Sequence, residues 1–392
     1  MLGLYLSIPF CRSKCTFCNF ASGVFPASYF DRYVARLVED MAAARARAAE
    51  WGAALPQTVD TIYFGGGTPS LLPPELVRRL MAAIRDEFSV LAGAEITFEA
   101  APAQLADETL AAMVETGANR LSFGVQSFVD AEAQATGRLH GRADVFRDVE
   151  RARAAGIEDV SLDLLAGLPG QTRATWRESL DCLAETGVGH ASVYMLEVDD
   201  ASKLGAEMLA GGVRYGAGLV PNEDAIVAMY EEAVERLAGA GLAQYEISNF
   251  ARAGRESRHN RRYWERRPYL GLGVDAHSML REAGGRALRF ATTDELPPYL
   301  EGAGWARPEP LSRAQELEEA WFLGLRMNEG VSLATLRAEF GAEAVGAFDA
   351  VLGELAAEGL VTRGGDRIHL TMNGRLLSNE VFERFLAGES VD

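Results

Sequence analysis

The chain has 392 residues and a net charge of −18, with 48% hydrophobic and 24% charged residues. That composition is globular and long enough for one large domain and a smaller one. The acidic excess argues against nucleic acid and anionic membrane as general partners. No run of about 18 apolar residues is present to span a bilayer, and residues 1–10 lack the basic start of a secretory signal. Four cysteines without a paired framework fit a reducing compartment, so a cytoplasmic location is expected.

Strand and helix patterns alternate from the start. Leu4–Ile8 reads as a strand that stops at Pro9, and Ser28-x-x-Asp31 reads as a capping box opening a helix towards Glu50. The pairs continue with Thr61–Phe64 and Pro73–Phe88, Glu95–Glu99 and Pro102–Glu115, and Arg120–Val125 and Ala143–Ala155. Val160–Leu165 and Thr172–Thr186 follow, then Ala191–Leu196 and helical segments through Ala240. Six βα units predict an α/β fold with a parallel sheet, curled by right-handed crossovers into a barrel or partial barrel.

Gln244–Ile247 is a further strand candidate, Asn249–Pro268 an arginine-rich loop, and Tyr269–Leu280 a return to the barrel. Leu296–Pro310 reads as a linker, and Ser312-x-x-Gln315 as a capping box that opens a last unit. That unit reads helix (Ala314–Arg326), short helix (Leu333–Phe340), helix (Val345–Glu358), hairpin (Leu360–Thr371, turning at Gly364-Gly365) and helix (Gly374–Leu386), a winged-helix outline. From Ser312 to Asp392 it holds seven Arg and no Lys against fourteen acidic residues. A DNA-reading wing needs a basic face, so packing or partner docking is expected instead. The expected divisions are 1–240 (barrel), 241–310 (extension and linker) and 311–392 (winged-helix-like unit).

Three of the four cysteines stand at Cys11-x3-Cys15-x2-Cys18, just after the first strand. Three thiolates on one loop are soft ligands for an iron–sulfur cluster or zinc, and the alternative is three buried thiols. A closed zinc site needs a fourth protein ligand, and none is nearby. An open metal position suits a reactive centre.

The stretch Tyr5-x-x-Ile8-Pro9-Phe10-Cys11-x3-Cys15-x2-Cys18 resembles the radical S-adenosylmethionine (SAM) superfamily, in its coproporphyrinogen III oxidase-like branch. The resemblance implies an open (β/α)6 barrel and a [4Fe–4S] cluster on Cys11, Cys15 and Cys18. SAM would chelate the open iron and yield a 5′-deoxyadenosyl radical on reduction. It also implies that Gly66, Gly67 and Thr68, after the strand Thr61–Phe64, hold the SAM amino group. On the residues alone that turn could be only a tight βα connection. Glu99, Gln126, Arg138 and Asp163 stand at or beyond strand ends. Singly each could be a surface polar group or cap. Together they match the family's SAM positions, with Arg138 suited to the carboxylate and the others to the ammonium or ribose. Tyr5 and Phe17 match positions lining the same pocket, and both could equally be core aromatics.

Two activities of that branch compete. The oxidases carry a further cysteine where Phe20 stands and an extension before the tyrosine, whereas Tyr5 is almost the first residue here. His259-Asn260-Arg261-Arg262-Tyr263-Trp264 resembles a motif of the branch's heme chaperones. The resemblance then implies heme as cargo and an apo-hemoprotein acceptor, soluble or membrane-bound. His259 is the expected iron ligand, Tyr263 and Trp264 offer porphyrin-sized flat surfaces, and Arg261 and Arg262 would pair with propionates. Without the resemblance, the stretch reads as a loop anchored by its aromatics. His277 is placed at the adenine end of the SAM pocket or as a metal ligand, while His140, His190, His369 and Cys182 read as structural.

Overall fold

A computed structural model describes residues 1–386. All six predicted strands form, and they are laid side by side in parallel: β1 (Leu2–Ile8), β2 (Thr58–Gly66), β3 (Ser89–Ala100), β4 (Arg120–Gln126), β5 (Asp159–Ala166) and β6 (His190–Met195). The reason is visible in their alternation. Leu4 and Leu6 register with Ile62 and Phe64, and these continue through Ile96, Phe98, Leu121, Phe123, Val160 and Leu162 on the face that meets the helices. Side chains on a strand alternate between faces, so Thr61, Tyr63, Thr97, Glu99, Ser122, Ser161, Asp163, Ser192 and Tyr194 share the opposite, concave face. The outer face is dry and well packed; Phe64 stacks on Phe98 at 4.0 Å between ring centroids.

The helices that cover it are α1 (Ser28–Glu50), α2 (Pro74–Glu87), α3 (Asp107–Glu115), α4 (Arg142–Ala154), α5 (Arg173–Thr186) and α6 (Glu223–Gly239). Each buries an apolar stripe, as with Leu37, Met41, Leu80 and Ile84. The expected capping box of α1 does not form. Ala27 is the N-cap and Ser28 already lies inside the helix.

The sheet runs on past six strands to twelve and does not close. Beyond β6, β7 (Asn249–Ala251) pairs antiparallel. On the other side β8 (Tyr269–Leu272) lies parallel to β1, and β9 (His277–Glu282) and β10 (Ala287–Ala291) continue the sheet antiparallel. Two expectations are corrected here. Gln244–Ile247 forms only the end of the two-residue strand Ala243–Gln244 and a bridge from Glu246 to Met327. The stretch 249–268 is β7 and the helix α7 (Arg258–Trp264), not a loop. Five of its arginines, Arg258, Arg261, Arg262, Arg266 and Arg267, lie beside carboxylates inside the protein, so a charge-rich sequence is ordered. Residues 296–310 are likewise tied down: Tyr299 is buried and donates to Asp40, and Trp305 Nε1 donates to the Gly271 carbonyl at 3.1 Å.

The C-terminal unit builds a second core around Trp321, Leu336, Leu355 and Phe385. The capping box at Ser312 and Gln315 opens α8 (Arg313–Arg326). The hairpin Val361–Gly364 and Arg367–Leu370 forms and gains a third strand, Val331–Ser332. The last helix expected at Gly374–Leu386 is two helices, α9 (Met372–Leu376) and α10 (Ser378–Glu383), divided at Leu377. Likewise Val345–Glu358 is divided into two, Ala342–Gly346 and Asp349–Ala357.

Candidate functional site

Pro9 ends β1 and the chain turns into the cysteine loop at the mouth of the barrel. Backbone bonds fix the loop: Cys11 donates to Gly23 (2.9 Å), Thr16 donates to Thr136 (3.1 Å), and Leu204 donates to Thr16 (2.8 Å). Cys11, Cys15 and Cys18 are all free thiols and border one cavity of about 300 Å³. Burial pushes the thiols of Cys11 and Cys15 up, with Thr68 Oγ1 at 3.8 Å from Cys11 Sγ opposing at the first. Among the described residues no three His, Cys, Asp or Glu side chains converge on one ion-sized point. Thiols spread round a cavity suit a multi-iron cluster better than a zinc knuckle.

The glycine turn is laced to the strand that leads into this loop. Gly67 N donates to Ile8 O and Thr68 N to Phe10 O, both at 2.8 Å. A Cβ on Gly67 would stand 2.8 Å from each of those oxygens, and Gly66 holds φ +99°. The turn therefore needs glycine for close approach and for its backbone angle.

Four polar side chains face the same cavity. Arg138 lies beyond a short helix, and its buried Nε has no partner among the described residues. Its guanidinium occupies space left by Gly124, where a Cβ would stand 2.7 Å from Nη2. Gln126 is in the left-handed region at φ +68°, at a slip in register between β4 and β5. Such strain in a non-glycine residue persists only where the surroundings fix it. Glu99 accepts from the Tyr63 hydroxyl at 2.8 Å, yet burial and the neighbouring Asp163 carboxylate push its pKa up to about 7. Asp163 accepts from Ser122 Oγ at 3.3 Å and is also raised by burial.

The cavity thus offers a guanidinium whose buried Nε lacks a partner among the described residues and, within its electrostatic reach, two carboxylates whose pKa burial raises. That pattern complements an amino-acid zwitterion: an α-carboxylate for Arg138 and an ammonium for Glu99 and Asp163. With three thiols on the rim, the residues present fit a [4Fe–4S] cluster and the methionine end of SAM.

Cys11, Cys15, Cys18, Phe17, Gly66, Gly67, Thr68, Glu99, Gln126, Arg138 and Asp163 are brought together around this cavity. Tyr5 is not on its wall. It lies a layer deeper, packed on Tyr63 with ring centroids 6.1 Å apart. His277 is also elsewhere, solvent-exposed beside Asp275 at 3.7 Å, so its expected place at the SAM pocket is corrected. Sequence reasoning missed Tyr63, Ser122 and Tyr194. Their signal is present in the polar residues two apart in Thr61-x-Tyr63, Ser122-x-Gly124-x-Gln126 and Ser192-x-Tyr194, which mark the concave face.

His259 is the largest correction. The helix α7 plugs the floor of the barrel, opposite the cysteine loop. Glu95 accepts from the backbone amides of Arg258 and His259, each at 2.9 Å, and so caps that helix from β3. His259 is 1% exposed; Nδ1 is bonded to Thr61 Oγ1 (2.9 Å) and Nε2 to the Tyr263 hydroxyl (2.8 Å). Burial and then Arg262 lower its pKa to about 3. Both ring nitrogens are occupied in a closed space, so this arrangement leaves no lone pair for heme iron. Arg262 is 0% exposed, in an ion pair with Asp60 and donating to the Pro268 carbonyl. Arg261 pairs with Glu256, Glu265 and Glu329. Neither is free for a propionate. Tyr263 packs edge-on against Tyr269, and Trp264 lies under the Arg326 guanidinium at 4.2 Å. The motif is part of the fold. His190 is similarly locked between Ser161 and Tyr245, and Cys182 packs in the main core.

A cysteine-rimmed, zwitterion-matched cavity at the mouth of an open parallel barrel is what a radical SAM protein requires. Residues 5–183 match the model of the radical SAM superfamily, and residues 311–377 match that of the HemN C-terminal domain. Membership of that superfamily implies a [4Fe–4S] cluster and SAM as cofactors. The resemblance then narrows along the whole length. The chain is 35% identical to the heme chaperone HemW of Bacillus subtilis (strain 168), over 98% of this chain and 99% of that one. It is 31% identical to HemW of Escherichia coli (strain K12), over 98% of both. The chain belongs to the HemW family. Its backbone is similar to that of coproporphyrinogen III oxidase (HemN) from Escherichia coli, with a TM-score of 0.82, 24% identity, and coverage of 98% of this chain and 89% of that one. At that identity the likeness speaks for the fold.

Proposed function

We propose that the protein binds heme and passes it to an apo-hemoprotein, while carrying a SAM-bound [4Fe–4S] centre at the barrel mouth. The observation that carries this is the end-to-end similarity to HemW proteins, which are named as heme chaperones. Phe20, where the oxidases have a further cysteine, supports the same choice.

In this reading Cys11, Cys15 and Cys18 hold the cluster. Arg138 takes the SAM carboxylate, and Glu99 with Asp163 takes the ammonium, which also brings Glu99 into its ionised form. Gly66, Gly67 and Thr68 shape the turn against which the amino end rests. When bound, the pair supplies a sulfonium that can be cleaved by one electron. The protein works in the cytoplasm, and its acceptor is soluble or membrane-bound; no helix among the described residues is long and apolar enough to cross a membrane itself.

The test is anaerobic reconstitution with iron and sulfide, followed by parallel assays. Hemin titration should give a saturable Soret change, and the loaded protein should pass heme to a heme-free acceptor. Decarboxylation of coproporphyrinogen with SAM consumed in proportion would replace this function with the oxidase's.

A further inference from the structure

A second cavity, of about 640 Å³, opens between the end of β6, the loop Cys18–Phe20, and the helices α9 and α10 of the C-terminal unit. Ligand sites typically span roughly 300–1,000 Å³. Phe17, Cys18, Phe20, Leu165 and Tyr194 border both this cavity and the cofactor cavity, so the two adjoin at the cysteine loop.

Its lining is unusual in two ways. First, large apolar side chains stand open to solvent there: Phe20 is 61% exposed, Tyr194 43% and Leu377 42%. Apolar surface gathered in a concavity marks a place where something apolar binds. Second, two arginines face it; the buried Nε of each lacks a hydrogen-bond partner among the described residues, and only Arg326 has a carboxylate beside it. Arg326 pairs with Glu246 at 3.5 Å and lies on the Trp264 ring. Arg375, on α9, has no carboxylate partner among the described residues. Its Nη1 donates to the Leu370 carbonyl at 3.3 Å, and its buried Nε has no partner among the described residues. Burial lowers its pKa, with the Tyr230 hydroxyl as the one opposing influence. Glu197 and Glu380 also border the cavity, but both are exposed to solvent and neither pairs with Arg375. A desolvated, unpaired guanidinium in an otherwise acidic protein calls for an anion.

We propose that this cavity binds a flat apolar macrocycle bearing carboxylates, with one carboxylate on Arg375 and the ring face against Phe20, Tyr194 and Leu377. The inference rests on the heme-binding reading above and gives the cargo a place in the molecule. The C-terminal unit then forms one wall of the cargo site. The His259–Trp264 motif acts on it at one remove, because Trp264 supports Arg326 on the same wall.

The test uses the full-length reconstituted protein with two probes, hemin and hemin dimethyl ester, which lacks the carboxylate charge. The wild type should bind hemin about tenfold or more tightly than the ester, the scale of a charged hydrogen bond. Arg375→Met should lower hemin affinity to that of the ester and leave the ester unchanged, and Arg375→Lys should restore part of the loss. Leu377→Glu, a change at an exposed position, should weaken both probes. Wild-type binding of hemin with equal affinity in R375M overturns the site and leaves the heme-binding reading intact, as does unchanged binding of both probes in L377E. A wild type that binds no hemin overturns both.

Discussion

The two ends of the barrel are built from the same residue types and are finished differently. At the floor, Asp60, Arg262, His259, Tyr263 and Glu95 satisfy one another, and each polar atom of the His259 ring has a partner. At the mouth, Arg138 Nε is buried with no partner among the described residues, Glu99 is pushed up to about 7 by burial, and Gln126 holds a strained backbone angle. Buried polar groups are normally paired, so the paired His259 and Arg262 read as scaffold, and the unpaired Arg138 Nε facing a cavity reads as a place for a ligand. The comparison reverses the role expected of the His-Asn-x-x-Tyr-Trp motif, which looks chemical in sequence and is architectural in space.

The contrast is sharpened first at the cysteines. Alanine at Cys11, Cys15 or Cys18 should abolish the brown cluster chromophore after reconstitution, while Cys182→Ala, far from the loop, should keep it. Loss of the visible absorption of the reconstituted protein is a sufficient readout. At the floor, Arg262→Met should remove the most buried partner of the Asp60 carboxylate, leaving Arg267 at 3.1 Å, and cost about 1–3 kcal/mol in urea unfolding. The folded fraction should still bind SAM normally.

Arg138→Ala should do the reverse. Loss of a charge-assisted bond should weaken SAM binding by about 1.5–3 kcal/mol in calorimetry, with the urea midpoint nearly unchanged because Arg138 is unsatisfied without ligand. Equal SAM affinity in the variant would break the assignment.

Glu99 gives a smaller effect with a definite sign. Its folded pKa is raised from 4.5 to about 7, so between those values the folded state holds a proton that the unfolded state has released. Stability of the cofactor-free protein should therefore fall as pH rises through that window, and Glu99→Gln should flatten the fall. Ionised Glu99 attracts an ammonium, so SAM affinity should rise from pH 6 to pH 8 in the wild type. A flat profile would place the ammonium elsewhere.

Much of this was legible beforehand, for physical reasons. The six strands show in sequence because each outer face is a run of Val, Ile, Leu and Phe at every second position. The cysteine triad and the glycine turn are local, so spacing alone reveals them. What depends on distant contacts was not legible. Nothing near Gln126 announces a register slip, and nothing around Arg375 in α9 announces that it faces Phe20 across a cavity. Asn249–Pro268 was misread because arginines suggest solvent, whereas Asp60 and Glu95, about 160 to 200 residues earlier, neutralise and cap that segment.

The most direct measurement is on His259→Ala, followed by hemin titration and urea unfolding on the same preparation. Removal of the imidazole leaves the part-buried Tyr263 hydroxyl without its partner, which should lower stability by about 1–3 kcal/mol, while Thr61 keeps its bond from Arg262 Nε. The position of the Soret band and the hemin affinity of the folded protein should match the wild type. A shifted Soret band and lost hemin binding, with an unchanged urea midpoint, would show that the floor of the barrel holds the ligand after all.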